Sequence, residues 1–167
     1  MSGTHGTDES LAARQVLLVP YVPWGGVGLM IELRREYESD PRLVCDMRAF
    51  VREGCRQSWT EPTDDGAIGQ LELAVSEAAG NIILHGYRET PAQPIELVLT
   101  VDSERACVMF HYWGCDFDPQ TVPPPTFDAG SESGYGLYLI EQSVDEVQYS
   151  RDEAGRCEIR LIKHRSK

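Results

Sequence analysis

The segment Leu71–Tyr87, LELAVSEAAGNIILHGY, constrains the fold of this chain more than any other. Ile68, Leu71, Val75, Ala78 and Ile82 repeat at the 3,4 spacing of a core-facing stripe, which predicts one helix across the segment. At about 100° per residue, Glu77 and Asn81 stand one above the other, off the centre of that stripe. A solvated flank would surround such a pair with charges, whereas the neighbours on that side are Leu73 and Leu84. A carboxylate and an amide in apolar surroundings suit a metal–phosphate pocket, because magnesium needs oxygen ligands in a dry, shaped cavity.

The remaining chemistry narrows the function class. At 167 residues the chain fits one domain, and its 41% hydrophobic content is that of a globular core. A formal net charge of -12 repels phosphodiester backbones and argues against nucleic acid as partner. No run approaches the roughly 20 apolar residues of a membrane span. The first residues, MSGTHGTDES, lack the basic and apolar regions of a signal peptide. The five cysteines, Cys45, Cys55, Cys107, Cys115 and Cys157, are odd in number and scattered, so neither a disulfide framework nor a CxxC site is expected and a reducing cytoplasm is the default.

Residues 1–14 are small and polar, as a disordered tail would be. Residues 15–27 form an N-terminal extension: QVLLVPYVPW is interrupted by Pro20 and Pro23, as an edge strand or docking arm is, and GGVG then breaks it. Residues 28–167 make the main domain. Within it Leu29–Arg35 suits a strand, and Asp40–Pro41 starts a helix running to about Ser58, with Leu43, Met47, Phe50 and Val51 inward. Thr63, Asp64 or Asp65 is placed to cap the following helix. Ile95–Val101 alternates as a half-buried strand, Ala106–Tyr112 is a second, and Val144–Ser150 with Cys157–Lys163 forms a hairpin across Asp152–Gly155. Asp118–Gly134 is a long Pro/Gly/Ser loop, and long ordered loops are usually functional. The pattern predicts a two-layer α/β sandwich.

Glu77-x-x-x-Asn81 in the frame LAVSEAAGN, with His85 after it, resembles the N-box of the histidine-kinase-like (GHKL or Bergerat) ATPases. Gly134-Tyr135-Gly136-Leu137 resembles the G2 box, and the following LYLIEQSVDEVQYS resembles the segment after the nucleotide lid. Phe117-Asp118-Pro119 matches the anchor behind the G1 box. Within that superfamily the match is to the small RsbW- and SpoIIAB-like serine-protein kinases that act as anti-sigma factors. The resemblance spans roughly Gly28–Lys163 and implies a Bergerat fold: a mixed, mostly antiparallel sheet with helices on one face.

The resemblance also implies chemistry. Glu77 would be the general base, Asn81 the magnesium ligand, and Gly114, Gly134, Gly136 and Leu137 part of an ATP pocket. Thr121–Ser133 would be its lid, with Ser131, Glu132 and Ser133 near the phosphates, and His85 would pack beside the pair rather than react. The implied partners are a STAS-domain anti-anti-sigma protein and a sigma factor. Relatives often dimerise, which leaves a homodimer open.

Two positions depart from the pattern together. Tyr112 stands where an aspartate reads the exocyclic amine of adenine, and Gly155-Arg156-Cys157 replaces the Gly-Thr that supports that contact. Asp116 replaces a glycine four positions on and does not substitute for the missing aspartate. A charge-assisted contact of this type is worth on the order of 1–3 kcal/mol, so its loss weakens ATP, shifts base preference or abolishes nucleotide binding. Tyr112 and Trp113 read as core aromatics at a strand end, with stacking on a purine as the alternative. His111 and Cys115 do not point the same way and form no metal site. Two functions remain open: an Mg-ATP-dependent serine/threonine kinase in a partner-switching system, and a non-catalytic partner-binding module of the same fold.

Overall fold

The computed structural model describes residues 15–21, 28–114, 122 and 134–165. Six strands form one sheet: β1 (Gln15–Tyr21), β2 (Gly28–Glu38), β3 (Pro94–Val101), β4 (Arg105–Tyr112), β5 (Glu146–Arg151) and β6 (Cys157–His164), in the order β1-β2-β3-β4-β6-β5. Three helices accompany them: α1 (Val44–Cys55), α2 (Asp64–Asn81) and α3 (Tyr135–Ser143).

Every described pairing is antiparallel, which corrects the expectation of a mixed sheet. The reason lies in the connections. Two helices in succession, α1 and α2, return the chain so that β3 runs against β2. β4 and β5 do run the same way, but β6 lies between them and pairs antiparallel with both.

Strand alternation sends Ile95, Leu97, Leu99 and Val101 of β3 into the core, with Ala106, Val108, Phe110 and Tyr112 of β4 beside them. The core-facing stripe of α2 is buried as its spacing predicts: Ile68, Leu71, Val75, Ala78 and Ile82 all lie in the same cluster. Met47, Phe50 and Val51 bury the matching stripe of α1. Trp59, fully buried, donates its indole N–H to the Asp102 carbonyl at 2.9 Å, fastening the α1–α2 connection to the β3–β4 turn. The opposite face of the sheet is charged. His111 there lies 2.9 Å from both a Glu96 and a Glu158 carboxylate oxygen, and Arg34 and Arg156 also bond Glu96.

The ends of the helices depart from the sequence reading in detail. Asp40 caps a short 3-10 turn at Pro41–Leu43 by accepting the Arg42 N–H at 2.9 Å, and α1 stops at Cys55, short of Ser58. Thr63 holds the cap position of α2 without a side-chain bond. Asp64 instead accepts the Glu61 N–H at 2.9 Å and a two-pronged contact from Arg165 at 2.7 and 3.0 Å, tying the start of α2 to the residue after β6. The helix predicted to Tyr87 is α-helical only to Asn81; Ile82–Gly86 continues it as a π-turn. No helix among the described residues is long and apolar enough to cross a membrane.

Candidate functional site

α2 and the π-turn after it form a spine on which two other parts of the chain are laid. Glu77 and Asn81 stand one turn apart, both half-buried. The first turn of α3 lies against them, and only because residue 136 has no side chain. A Cβ added at Gly136 would sit 3.0 Å from Glu77 Oε2, 3.4 Å from Asn81 Oδ1 and 3.7 Å from Asn81 Nδ2. The carboxylate and the amide therefore face the start of a helix across a gap that a β-carbon would fill.

Gly134 sets up that start. It takes the left-handed conformation (φ 88°) at the cap position, where its carbonyl accepts the Tyr138 N–H at 3.2 Å. The N–H groups of the first turn have no partner within the helix, and the positive end of the helix dipole points the same way. A helix N-terminus beside two side-chain oxygens can hold an anion and its cation together. The donor set, a carboxylate and an amide oxygen, fits the hard-oxygen demand of magnesium.

The leucines do not enclose this pair. Leu73 is 40% and Leu84 49% exposed, so the expected dry flank is open and the cover comes from α3. His85, expected to pack, is exposed on the π-turn. Leu137 packs against the core cluster.

Five residues beyond Asn81 the spine meets the end of β4. Tyr112 is buried, its ring edge to face with Tyr87 (72° between planes, 5.9 Å between centroids). A Cβ at Gly86 would come within 2.9 Å of Tyr112 Cε2, so the π-turn places a glycine where the tyrosine ring needs space. Tyr87 holds the strand end down: its hydroxyl donates to the Pro94 carbonyl at 2.5 Å and accepts the Trp113 N–H at 2.9 Å. Gly114 is pressed against Gly86, where a Cβ would lie 2.5 Å from the Gly86 carbonyl oxygen. Its missing side chain serves packing at this contact. Trp113 itself is 55% exposed.

The two departures from the family pattern are one feature in space. Tyr112 and Cys157 are register partners on β4 and β6, so the two departures lie side by side. Burial raises the Tyr112 phenol above its ordinary value, and the Cys157 thiol beside it adds to the shift. The phenol is thus a buried neutral group beside a thiol, not a carboxylate facing a ligand, which makes Tyr112 a core aromatic.

The structure therefore brings Glu77, Asn81 and Gly136 together and sets Gly114 further along the same spine. Cys115, Asp116, the Phe117-Asp118-Pro119 anchor and the expected lid with Ser131, Glu132 and Ser133 lie outside the described residues. Sequence reasoning missed Gly86 and Tyr87 as supports of the strand end. The only available signal was their position just after the Glu77–Asn81 helix.

Residues 37–163 match the model of the histidine kinase-like ATPase domain. Among individual proteins, the chain is 37% identical over 90 residues to the serine-protein kinase RsbW of Bacillus subtilis, covering 48% of this chain and 56% of that protein. It is 32% identical over 95 residues to RsbW of Bacillus cereus, covering 52% and 58%. RsbW of Bacillus velezensis is 36% identical over 90 residues, covering 48% and 56%. The chain thus matches a little over half the length of these relatives.

Proposed function

The chain belongs to the histidine kinase-like ATPase family, and on that premise we propose that residues 28–167 form an ATP-dependent regulatory kinase domain resembling RsbW. Its substrate would be a serine or threonine of a STAS-domain anti-anti-sigma partner, and a sigma factor its second partner, in a cytoplasmic partner-switching system. The observation that supports the reading is the close approach at Gly136, which lays the first turn of α3 against Glu77 and Asn81.

Each residue has a task that its chemistry permits. The first turn of α3 binds phosphate oxygens through backbone N–H groups, with Gly134 and Gly136 letting the backbone approach. Asn81 presents its side-chain oxygen to magnesium, and magnesium, when bound, neutralises charge on the phosphates. Glu77 orients the acceptor hydroxyl and takes its proton.

A second reading is favoured by a specific observation: Tyr112 is buried beside Cys157, so the adenine contact of the resembled pattern has no carboxylate here. On that reading the domain binds partners without transferring phosphate.

Incubation with radiolabelled Mg-ATP and a STAS-domain protein encoded beside this chain separates the two. The kinase reading expects label on the STAS protein, with Glu77→Gln slower by a factor of about 10² to 10⁴. No transfer, with the partner still bound, would establish the non-catalytic module instead.

A further inference from the structure

A groove of about 440 Å³ opens on the far side of the π-turn, between the end of β2 and the loop leading into β3. Its floor is apolar: Ile83 is buried beneath it, and Leu84, Pro41 and Pro91 form its sides. Its rim is acidic. Glu38 and Glu89 line it from opposite elements, both exposed, and among the described residues neither carboxylate has a hydrogen-bond or ion-pair partner. The one cation of the lining, Arg42, is folded onto Asp40 through Nε and Nη2 at 2.6–3.0 Å, so its charge is already matched.

The walls are fixed rather than loose. Ser39, buried, donates its hydroxyl to the Thr90 carbonyl at 2.7 Å and accepts the Gln93 N–H at 3.0 Å, while its own N–H reaches the Gln93 carbonyl at 2.8 Å. The Glu89 N–H bonds the Ile83 carbonyl at 3.0 Å. These bonds hold Arg88, Glu89 and Ala92 in the left-handed region, at φ 49°, 60° and 56°, which non-glycine residues seldom occupy. Strained backbone persists where surrounding structure over-determines it, and such positions cluster at binding sites.

We propose that this groove is a docking site for a basic segment of a partner protein, one that lays an arginine or lysine across the aliphatic floor with its charge between Glu38 and Glu89 and covers Leu84 with a neighbouring apolar side chain. The volume falls within the range of preformed ligand sites, and the lining has their form, apolar with a few convergent polar groups. Charge complementarity selects the occupant: two unmatched carboxylates call for a cation, and a second copy of a chain with net charge -12 is repelled. The 49% exposure of Leu84 extends the apolar surface past the groove, where a free organic cation would leave it uncovered. The lining shares no residue with the Gly136 contact.

The test pans a phage-displayed random 12-residue library on the full-length chain without nucleotide, then measures the enriched peptides by fluorescence anisotropy. The expected peptides carry Arg or Lys flanked by apolar residues. Their affinity should fall at least tenfold for the Glu38→Gln/Glu89→Gln double variant and for Leu84→Asp, and should weaken as salt is raised. Circular dichroism and thermal midpoints check that these surface variants remain folded. Failure to enrich any peptide, peptides without a basic residue, or equal binding to wild type and both variants would each overturn the proposal. Binding of N-acetylarginine amide as tight as that of the peptides would overturn it in favour of a free cation.

Discussion

Two neighbouring points on the spine formed by α2 and its π-turn make opposite use of the same device, a glycine facing a side chain from another element. At Glu77 and Asn81 the glycine is on the partner element, and the room left by Gly136 is lined by polar atoms. Five residues on, the glycine is on the spine itself, and the room left by Gly86 is filled by the Tyr112 ring. On the proposed reading the first glycine serves a ligand, while the second makes space for the protein's own ring. A residue at a strand end beside the spine is therefore free to differ from the resembled pattern where it is packed as core. Tyr112 and Cys157 meet that condition because they are buried register partners.

That contrast is easiest to break by mutation, and the largest effect is expected at the filled end. Tyr112→Ala should cost about 3–5 kcal/mol of stability, the range for emptying a buried aromatic site, read from the urea midpoint at constant m. A cost under 1 kcal/mol would mean that the ring is not core. Next, Gly136→Val should abolish Mg-nucleotide binding, by at least 100-fold or about 2.7 kcal/mol, while leaving the urea midpoint within the usual spread of surface substitutions. A variant that unfolds instead would show that the gap is packing space.

The phenol offers a sharper probe. Because burial raises the Tyr112 pKa, the stability it contributes is complete below its ordinary 10.0 and is lost as pH rises through the higher folded value. Tyr37 and Tyr149, also raised by burial, share that alkaline loss. Tyr112→Phe should therefore cost about 1 kcal/mol near pH 7 and flatten part of the decline above pH 10 in denaturant titrations. An unchanged alkaline slope would place the hydroxyl in water. The smallest effect belongs to the open end: Glu77→Gln should move stability by no more than about 0.5 kcal/mol, since the half-buried carboxylate faces a gap.

Much of this frame was legible in the sequence because its signals are local. The stripe from Ile68 to Ile82 gave α2, and alternation from Ile95 to Val101 gave β3, since each pattern needs only its own dozen residues. The Glu77–Asn81 pair and the Gly134–Leu137 turn could be named for the same reason. Their meeting at Gly136 could not, because it depends on how α3 crosses α2. The pairing of Tyr112 with Cys157 depends on strand register across 45 positions of chain, and the fit of Gly86 to the Tyr112 ring depends on where β4 ends. Leu73 and Leu84 misled for a related reason: an apolar residue beside a site looks like its wall until the third dimension shows it facing outward. Likewise, nothing in sequence order linked Ser39 to Thr90 and Gln93, the bonds that shape the acidic groove.

The central claim is that the open end still holds a magnesium nucleotide although the reader of its base has become core. Isothermal titration of Mg-ATP and Mg-GTP into the wild-type chain and Asn81→Ala tests it directly. The account predicts measurable binding to wild type that weakens at least tenfold in Asn81→Ala. No heat with either nucleotide, or equal affinity in the two proteins, would contradict it.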